Sequence, residues 1–202
     1  MEIQLWKDIL NPYELAVEEL LVKFNHLIKE YQDRGMYSPM EQVCGRVKSI
    51  SSILDKAQKK NIEVDKIEEQ LDDIAGIRII CQFVEDIEKV ADLIRNRSDM
   101  QVVTEKDYIN HMKSSGYRSY HLILEIEDET TDALGNTPGH YYAEVQLRTI
   151  AMDSWASLEH QMQYKHEIKN KELISRELKR CADELASCDV SMQTIRMMIK
   201  DA

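Results

Sequence analysis

The stretch from Gly116 to Glu127, GYRSYHLILEIE, alternates between polar and apolar side chains over most of its length. Successive side chains of a β-strand point to opposite faces, so this period of two predicts a strand with one apolar and one polar face. A second stretch of this kind, HYYAEVQLRT at residues 140–149, follows the polar turn 128–139. The chain therefore builds a sheet, and other elements must cover its apolar face.

Helical spacing of apolar residues flanks these strands on both sides. The pair Asn11–Pro12 predicts a helix start, so we expect an N-terminal helix at about 12–34. Further strands and helices are predicted within a sheet region at about 43–149. Residues from about 150 to 202 are helical in pattern, with a break near Lys169–Asn170. The chain is predicted to form one α/β (α+β) domain over residues 1–202, with helices at both ends.

Composition narrows the class of protein. Apolar residues make up 43% of the 202 residues, which is enough for an ordinary core, and the net charge is −11. An acidic surface repels nucleic acids and anionic lipids, which argues against DNA binding and a membrane role and disfavours RNA binding. The four cysteines form no CxxC pair, which argues against zinc and disulfides. Because no leader or spanning segment is evident, we expect a cytoplasmic protein.

Four predicted strands each place hydrogen-bonding or charged side chains on one face. Strand by strand, these residues are Arg46 and Lys48; Arg78; Tyr117, Ser119 and His121; and Glu144, Gln146 and Arg148. A sheet with one solvated face would also be polar there, and for any single strand this simpler interpretation is preferred. Taken together, the residue types favour a binding surface, because arginine, tyrosine, histidine and glutamine recur beside carboxylates.

A local excess of positive charge stands out in this acidic chain. Between Gly45 and Lys60 there are five cations and one anion, namely Arg46, Lys48, Lys56, Lys59 and Lys60 against Asp55. Such a cluster predicts an anionic ligand. Arg46 and Lys48 reach a phosphate from a strand, and Lys56 follows on the next helix. Lys59 and Lys60 fit an ordinary helix surface equally well.

Two carboxylates, Asp73 and Glu144, are predicted to hold a metal ion beside these cations. Mg²⁺ is typically bound by one or two carboxylates together with substrate phosphates. A carboxylate beside a phosphate site would otherwise repel the ligand, and a metal ion between them removes this conflict. A turn or helix cap is the alternative interpretation of Asp73. Asp72 is the weaker candidate, since only one of two neighbouring side chains needs to face the site.

Four ordered motifs give the chain a family resemblance. GRVKS, DIAGIR, SSGYRSYH and EVQLRT followed by WASLEH resemble the motifs of the RelA/SpoT-type (p)ppGpp synthetases. The order and spacing are similar to those of the small alarmone synthetase branch, of RelQ type, over about residues 5–185. This resemblance implies a mixed β-sheet of nucleotidyltransferase-like topology. It also implies Mg²⁺-dependent transfer of the β,γ-pyrophosphate of ATP to the ribose 3′-OH of GTP or GDP, which releases AMP.

The resemblance assigns roles on the ATP side of the reaction. It implies that Arg46 and Arg78 enclose the adenine and that Lys48, Lys56 and Ser52 bind the ATP phosphates. Asp73 and Glu144 would hold Mg²⁺, and Glu144 would also take the proton from the attacking 3′-OH.

On the acceptor side, the resemblance implies that Tyr117 stacks on guanine. Lys113 and His121 would bind the acceptor's phosphates, and Gln146 would lie near its sugar or base. Asp153 stands near the guanine end, where many small synthetases have asparagine. Its carboxylate can accept hydrogen bonds from guanine as an amide oxygen does, but it adds charge, so the preference among GTP, GDP and GMP stays open.

The resemblance also bears on regulation and assembly. The longer family members carry a hydrolase domain with a His-Asp pair, and this chain contains no His-Asp dipeptide, so we expect synthesis without hydrolysis. A homotetramer is implied as the form of a homo-oligomer. Two other functions stay open at this point: a non-catalytic guanine-nucleotide sensor that keeps the pocket, and an RNA-binding adaptor using residues 45–60.

Overall fold

The computed structural model describes residues 2–129, 131–132, 135–163 and 170–200. Two predicted features lie partly outside these residues: the turn 128–139 and the helix break near Lys169–Asn170. Residues 201–202 of the predicted C-terminal helical region lie outside them entirely. The helices are α1 (Glu2–Asp33), α2 (Ile50–Lys60), the one-turn α3 (Ile67–Gln70), α4 (Val84–Arg95), α5 (Ile150–Gln163) and α6 (Lys171–Lys200). The strands are β1 (Gln42–Val47), β2 (Ala75–Cys81), β3 (Gln101–Asp107), β4 (Tyr120–Asp128) and β5 (Gly139–Thr149).

The five strands form one mixed sheet in the order β1-β2-β5-β4-β3. Only the β2–β5 pair is parallel among the described strands, and the other three pairs are antiparallel. A parallel pair needs a long crossover connection, and here helix α4 and strands β3 and β4 lie between β2 and β5 in the chain. The predicted α/β class, with a mixed sheet flanked by helices at both ends of the chain, is confirmed.

One face of the sheet is apolar and covered by helices. Helices α1 and α4 pack against it, over the buried side chains Ile77, Ile79, Leu122, Leu124, Val145 and Leu147. Helix α1 can lie this close to β1 because residue 45 is a glycine. A Cβ atom there would come within 2.8 Å of both Val17 Cγ1 and Ile77 Cδ1. Burial of these side chains drives the helices onto the sheet and leaves the opposite face open.

Helix α1 begins at Glu2, about ten residues before the predicted start, and Pro12 lies inside it. Proline lacks the N–H that would bond one turn back, which is why Asn11–Pro12 indicates a helix start. Trp6 and Leu10, six and two residues before Pro12, pack against the core. This apolar contact extends the helix towards its N-terminus despite the missing hydrogen bond.

The two C-terminal helices pack against each other and close one end of the sheet. Helix α6 also reaches α4, where Arg196 Nη1 lies 2.7 Å from Oδ1 of the fully buried Asp86. The guanidinium of Arg196 lies between the rings of Tyr37 and Phe83, 4.5 and 4.4 Å from their centroids. No helix within the described part of the chain has the length and apolar character needed to cross a bilayer.

Candidate active site

A cleft of about 170 Å³ lies on the polar face of the sheet, over β1, β2 and β5. Charged and amide side chains line it together with small and apolar residues: Arg46, Lys48, Asp73, Arg78, Glu144 and Gln146, with Cys44, Gly45, Ile74, Gly76 and Ile77. Gly76 lies between Arg46 and Glu144 in the strand register. Because it has no side chain, the floor of the cleft is open between these two residues.

Asp73, two residues before β2, forms salt bridges with two lysines. Its Oδ2 accepts hydrogen bonds from Nζ of Lys48, just after β1, and from Nζ of Lys56 on α2. Burial raises the pKa of Asp73, but the two lysines outweigh burial and bring it below its usual value. The pKa of Lys48 is also lowered, because burial outweighs its share of a single carboxylate. Asp73 Oδ1 is buried without a hydrogen-bond partner.

Helix α2 is anchored at the strand end that carries Lys48. Ser49 caps the helix, and its hydroxyl accepts the Ser52 N–H at 3.4 Å and lies 2.9 Å from Ser52 Oγ. Ser, as a cap, satisfies backbone N–H groups that the first turn of a helix leaves free. Ile53 and Ala57 are buried, and Lys56, three residues after Ile53, lies beside this buried face of the helix and reaches Asp73. Local capping and packing thus bring a second cation to the same carboxylate.

Glu144 receives a hydrogen bond on each carboxylate oxygen. His121 Nδ1 lies 2.9 Å from Oε1, and Gln146 Nε2 donates to Oε2 at 2.6 Å. Burial raises the pKa of Glu144, but the interactions with His121 and Gln146 and the charge of Lys48 lower it to about 2. The carboxylate is therefore ionised throughout the neutral pH range. The neighbouring strand β4 supplies His121, which stands opposite Gln146 in the register.

A second set of hydrogen bonds extends from His121 to Arg148. His121 Nε2 lies 2.8 Å from the Tyr117 hydroxyl, which accepts from Arg148 Nη2 at 2.8 Å. Arg148 Nη2 also donates to Gln146 Oε1 at 2.7 Å, which closes a ring through Glu144. The five side chains of this hydrogen-bond ring come from β4, β5 and the loop before β4.

Asp153 connects this ring to the β2 side of the cleft. Its Oδ1 accepts from Arg148 Nη1 at 2.9 Å and lies 3.2 Å from Arg78 Nη1. Asp153 stands in the first turn of α5, where a carboxylate is favoured by the helix dipole. One short helix turn after β5 therefore places an anion between arginines of two neighbouring strands.

Tyr117 is supported by aromatic and apolar neighbours. Its ring lies 6.0 Å from Tyr108 and 6.5 Å from Trp155, between centroids, and it packs against the cluster of Trp155, Ala156 and Ala182. Lys113 Nζ lies 4.8 Å from the centroid of Tyr117 and 4.4 Å from that of Tyr108. Gly116, at φ +96°, permits this arrangement, because a Cβ there would meet Ala182 Cβ at 2.7 Å.

The donor set of the cleft fits a hard divalent cation better than a softer metal. No group of three or more histidine, cysteine, aspartate or glutamate side chains with metal-binding geometry occurs among the described residues. Two carboxylates line the cleft, and one buried oxygen, Asp73 Oδ1, has no partner. Mg²⁺ accepts such a sparse protein ligand set because water and substrate phosphates complete its coordination.

Comparisons with known proteins agree with this geometry. Residues 45–169 match the region found in RelA / SpoT proteins. The chain is 40% identical, over its whole length and 93% of the relative's, to the GTP pyrophosphokinase YjbM of Bacillus subtilis. The chain belongs to the RelA/SpoT family. The resemblance inferred from the four motifs is confirmed.

Solved structures extend the likeness to the whole of this RelA/SpoT chain. The small alarmone synthetase 1 from Bacillus subtilis bound to its product pppGpp superposes with a TM-score of 0.89 at 40% identity, covering 98% of this chain and 99% of that one. A structure of small alarmone synthetase 1 from the same organism bound to AMPCPP gives a TM-score of 0.81 at 36% identity, covering 98% and 100%.

The structure brings most of the predicted site residues together. Six of them line the cleft: Arg46, Lys48, Asp73, Arg78, Glu144 and Gln146. Tyr117 and His121 join the cleft through the hydrogen-bond ring, and Lys113 lies over Tyr117. Lys56 reaches it through Asp73. Ser52 is not a lining residue, and Asp153 contacts Arg78 and Arg148. The roles assigned to these residues stay predictions.

Two residues near the site, Lys106 and Arg148, were given no functional role by the sequence analysis. Lys106 on β3 stands opposite His121 on the polar face, and its Nζ lies 3.1 Å from Asp72 Oδ2. Arg148 was placed on the polar face, but its hydrogen bonds to Tyr117 and Gln146 were not foreseen. The sequence signal for Lys106 is weak, because a register shift between Val102 and Thr104 interrupts the alternation of β3.

The lowered pKa of Glu144 predicts a defined acid dependence of stability. Its folded pKa lies below the usual 4.5, so its favourable contribution is complete above that pH and is lost as pH falls towards about 2. We expect the difference in unfolding free energy between wild type and Glu144→Gln to be roughly 1–2 kcal/mol smaller at about pH 3.5 than at about pH 6. Urea unfolding at both pH values measures it, and a difference that does not change with pH would contradict the ionised network.

Proposed function

We propose that this chain is a Mg²⁺-dependent (p)ppGpp synthetase, a GTP pyrophosphokinase. It transfers the β,γ-pyrophosphate of ATP to the ribose 3′-OH of GTP or GDP and releases AMP. The observation that carries this conclusion is the cleft itself, where two carboxylates and the phosphate-binding lysines meet in a chain that matches synthetases over its full length. The relatives' names and the product and analogue in their structures support nucleotides as substrates.

The donor nucleotide fits the β1–β2 side of the cleft. Arg46 and Arg78 stand on neighbouring antiparallel strands, two residues apart in the register, and both face the cleft. Two guanidinium groups at this spacing can enclose an adenine ring through cation–π contacts. Lys48 and Lys56, with Ser52 at the start of α2, then lie on the side where the triphosphate extends.

Asp73 and Glu144 would hold Mg²⁺ when ATP is bound. Mg²⁺ held there would supply neutralisation of charge on the transferred group, which is the main demand of phosphoryl-type transfer. The two lysines now held by Asp73 gain a more highly charged partner in the triphosphate. As they move to phosphate oxygens, Asp73 Oδ2 becomes free beside Oδ1, which is already without a partner. Ion pairing in the resting cleft thus compensates the charge of Asp73 until ATP arrives.

The acceptor nucleotide fits the β4–β5 side. Tyr117 offers a ring, braced from behind by Trp155, on which guanine can stack. Lys113 lies over this ring and is exposed, so it can swing to the acceptor's phosphates. His121 and Gln146 stand between Tyr117 and Glu144, where the ribose must pass. Asp153 lies beyond Arg148, at the far end of the hydrogen-bond ring, and its negative charge is shared by Arg78 and Arg148.

Glu144 would take the proton from the ribose 3′-OH. It is ionised at neutral pH and lies between the two substrate sides of the cleft. In the resting state His121 and Gln146 donate to its two oxygens. The substrate hydroxyl becomes a third donor, and proton transfer to the carboxylate accompanies attack on the β-phosphorus.

A non-catalytic guanine-nucleotide sensor is the less favoured alternative. Binding alone does not require a carboxylate at the acceptor hydroxyl, whereas Glu144 is retained and ionised within the cleft. The relatives are also named as pyrophosphokinases. Release of AMP distinguishes the two functions directly.

The product assay tests the proposed function. Purified protein is incubated with ATP, Mg²⁺ and each of GTP, GDP and GMP, and nucleotides are separated by anion exchange. We expect a new product with an equimolar amount of AMP, and none without Mg²⁺.

Glu144→Gln should lower kcat by about 10²–10⁴-fold, since a positioned proton transfer contributes that much. Arg180→Gln, at an exposed arginine on α6, is the control. Turnover at the wild-type rate in Glu144→Gln would show that the base is assigned wrongly.

A matched pair of variants tests the two substrate sides. Arg46→Ala removes one cation from the adenine side, so the KM for ATP should rise about 5–30-fold, with a smaller change in the KM for the acceptor. Tyr117→Leu removes the stacking ring and should change the acceptor KM by a similar factor while leaving the KM for ATP nearly constant. Steady-state kinetics with one substrate varied at a time measures both. An inverted pattern would exchange the two assignments.

We also propose that the protein is a homotetramer and acts in the cytoplasm, where ATP and GTP are available. Helix α6 exposes several large apolar side chains near its end, Val190, Ile195, Met197, Met198 and Ile199, and such a patch marks an interaction surface. Sedimentation velocity should give a species of about 94 kDa, four times the 23.6 kDa chain. A 23.6 kDa species at micromolar protein would refute the tetramer.

A further inference from the structure

Arg148 donates hydrogen bonds to three side chains of the site, although the proposed function gives it no contact with either substrate. It extends from β5, and only 5% of its surface is exposed. Its guanidinium donates to three acceptors: Asp153 Oδ1 at 2.9 Å, Tyr117 Oη at 2.8 Å and Gln146 Oε1 at 2.7 Å. Its Nε is buried without a partner, so the two terminal nitrogens make these contacts.

The first branch of hydrogen bonds runs through Gln146. A guanidinium only donates hydrogen bonds, so the amide atom of Gln146 that faces Arg148 must be its oxygen. The amide NH₂ is then turned towards Glu144 and donates to Oε2 at 2.6 Å. The carboxylate favours the same orientation, because it can only accept hydrogen bonds, so Arg148 and Glu144 hold the amide from its two ends.

The second branch runs through Tyr117 and His121. The Tyr117 oxygen accepts from Arg148, and its single proton is then available for His121 Nε2 at 2.8 Å. An imidazole that accepts at Nε2 carries its proton on Nδ1, which faces Glu144 Oε1 at 2.9 Å. Both branches therefore begin at a group that can only donate and end at a carboxylate that can only accept.

We propose that Arg148 is a positioning residue, which holds Gln146 and His121 in the orientation from which both donate to Glu144. This inference rests on the proposed function in so far as Glu144 is the group that acts on the acceptor. Arg148 directs one N–H of Gln146 and one of His121 at the two oxygens, and so holds the carboxylate in a single orientation. A group that must meet both a metal ion and a hydroxyl depends on such fixation of its orientation.

Asp153 holds Arg148 in place from the other side. Its Oδ1 pairs with Arg148 Nη1 and also lies 3.2 Å from Arg78 Nη1. The guanidinium of Arg148 lies 5.3 Å from the centroid of Tyr117, which limits its movement towards that side. A lysine at this position would keep the charge and could reach one or two of the three acceptors, but it lacks the planar fork.

A purely structural role is the competing explanation, since a buried arginine beside an aspartate often serves packing alone. The two explanations differ in their effect on His121. If Arg148 positions the network, its loss frees the Tyr117 oxygen to accept from an Nε2–H of His121, and this tautomer then competes with the Nδ1–H tautomer that Glu144 favours. A structural role alone would lower stability without changing the tautomer of the histidine.

The test compares Arg148→Met, which removes every donor, with Arg148→Lys and with the control Arg180→Met on the surface of α6. The tautomer of His121 is read from ¹H–¹⁵N correlations of histidine-labelled protein without nucleotides, with the signal assigned through His121→Gln. We expect a single Nδ1–H tautomer in wild type and in Arg180→Met, and a mixture in Arg148→Met. In the assay, Arg148→Met should lose about 10–100-fold in kcat with the KM for ATP changed less than about threefold, and Arg148→Lys should recover part of the loss.

Unchanged kcat, or a wild-type tautomer in a folded Arg148→Met protein, overturns the inference. If Arg148→Met does not fold, Tyr117→Phe tests the second branch, because it removes only the hydroxyl group. That variant keeps the Gln146 branch and the Nδ1–H tautomer that Glu144 favours, but it leaves His121 held at one nitrogen only. Its kcat should fall while the KM for ATP stays nearly unchanged, and an unchanged kcat would contradict the proposal. Failure of the proposed function would show differently: wild type would form no AMP, whereas the tautomer measurement does not depend on turnover.

Discussion

The parallel pairing of β2 with β5 is the constraint on which the rest of the site depends. It places Gly76 beside Glu144 and Arg78 beside Gln146, although these pairs are separated by 68 residues in the chain. Antiparallel neighbours then extend the polar face on both sides, with β1 bringing Arg46 and β4 bringing His121. The open glycine position in the middle of the sheet becomes the floor of a cleft between a basic side and an aromatic side.

Burying ionised groups in such a cleft requires compensation, because desolvation disfavours charge. The charges of Asp73 and Glu144 are compensated in different ways. Asp73 pairs with two lysines through one oxygen, whereas Glu144 receives one hydrogen bond on each oxygen from His121 and Gln146. In both residues the favourable interactions outweigh burial and lower the pKa. The partners of Asp73 are lysines, whereas those of Glu144 belong to the hydrogen-bond ring that also contains Arg148.

Much of this arrangement could be predicted from residues alone, because alternation along a strand is a local property. The faces assigned to Glu144, Gln146 and Arg148, and to His121, agree with the observed register. The positive cluster between residues 45 and 60 contains the lysines that meet at Asp73. Local rules failed where packing opposed them. Pro12 lies inside α1 because Trp6 and Leu10 pack against the core, and a register shift in β3 obscured Lys106.

By itself, the sequence determined the two faces of β1, β2, β4 and β5, the anionic class of ligand and the family. Periodicity, charge and motif spacing are properties of neighbouring residues and need no knowledge of distant ones. Only the tertiary structure decided that β2 lies beside β5, that Asp153 joins Arg78 to Arg148, and that hydrogen bonds run from Arg148 to Glu144. These contacts join residues from separate elements, and burial of the opposite, apolar face is what brings those elements together.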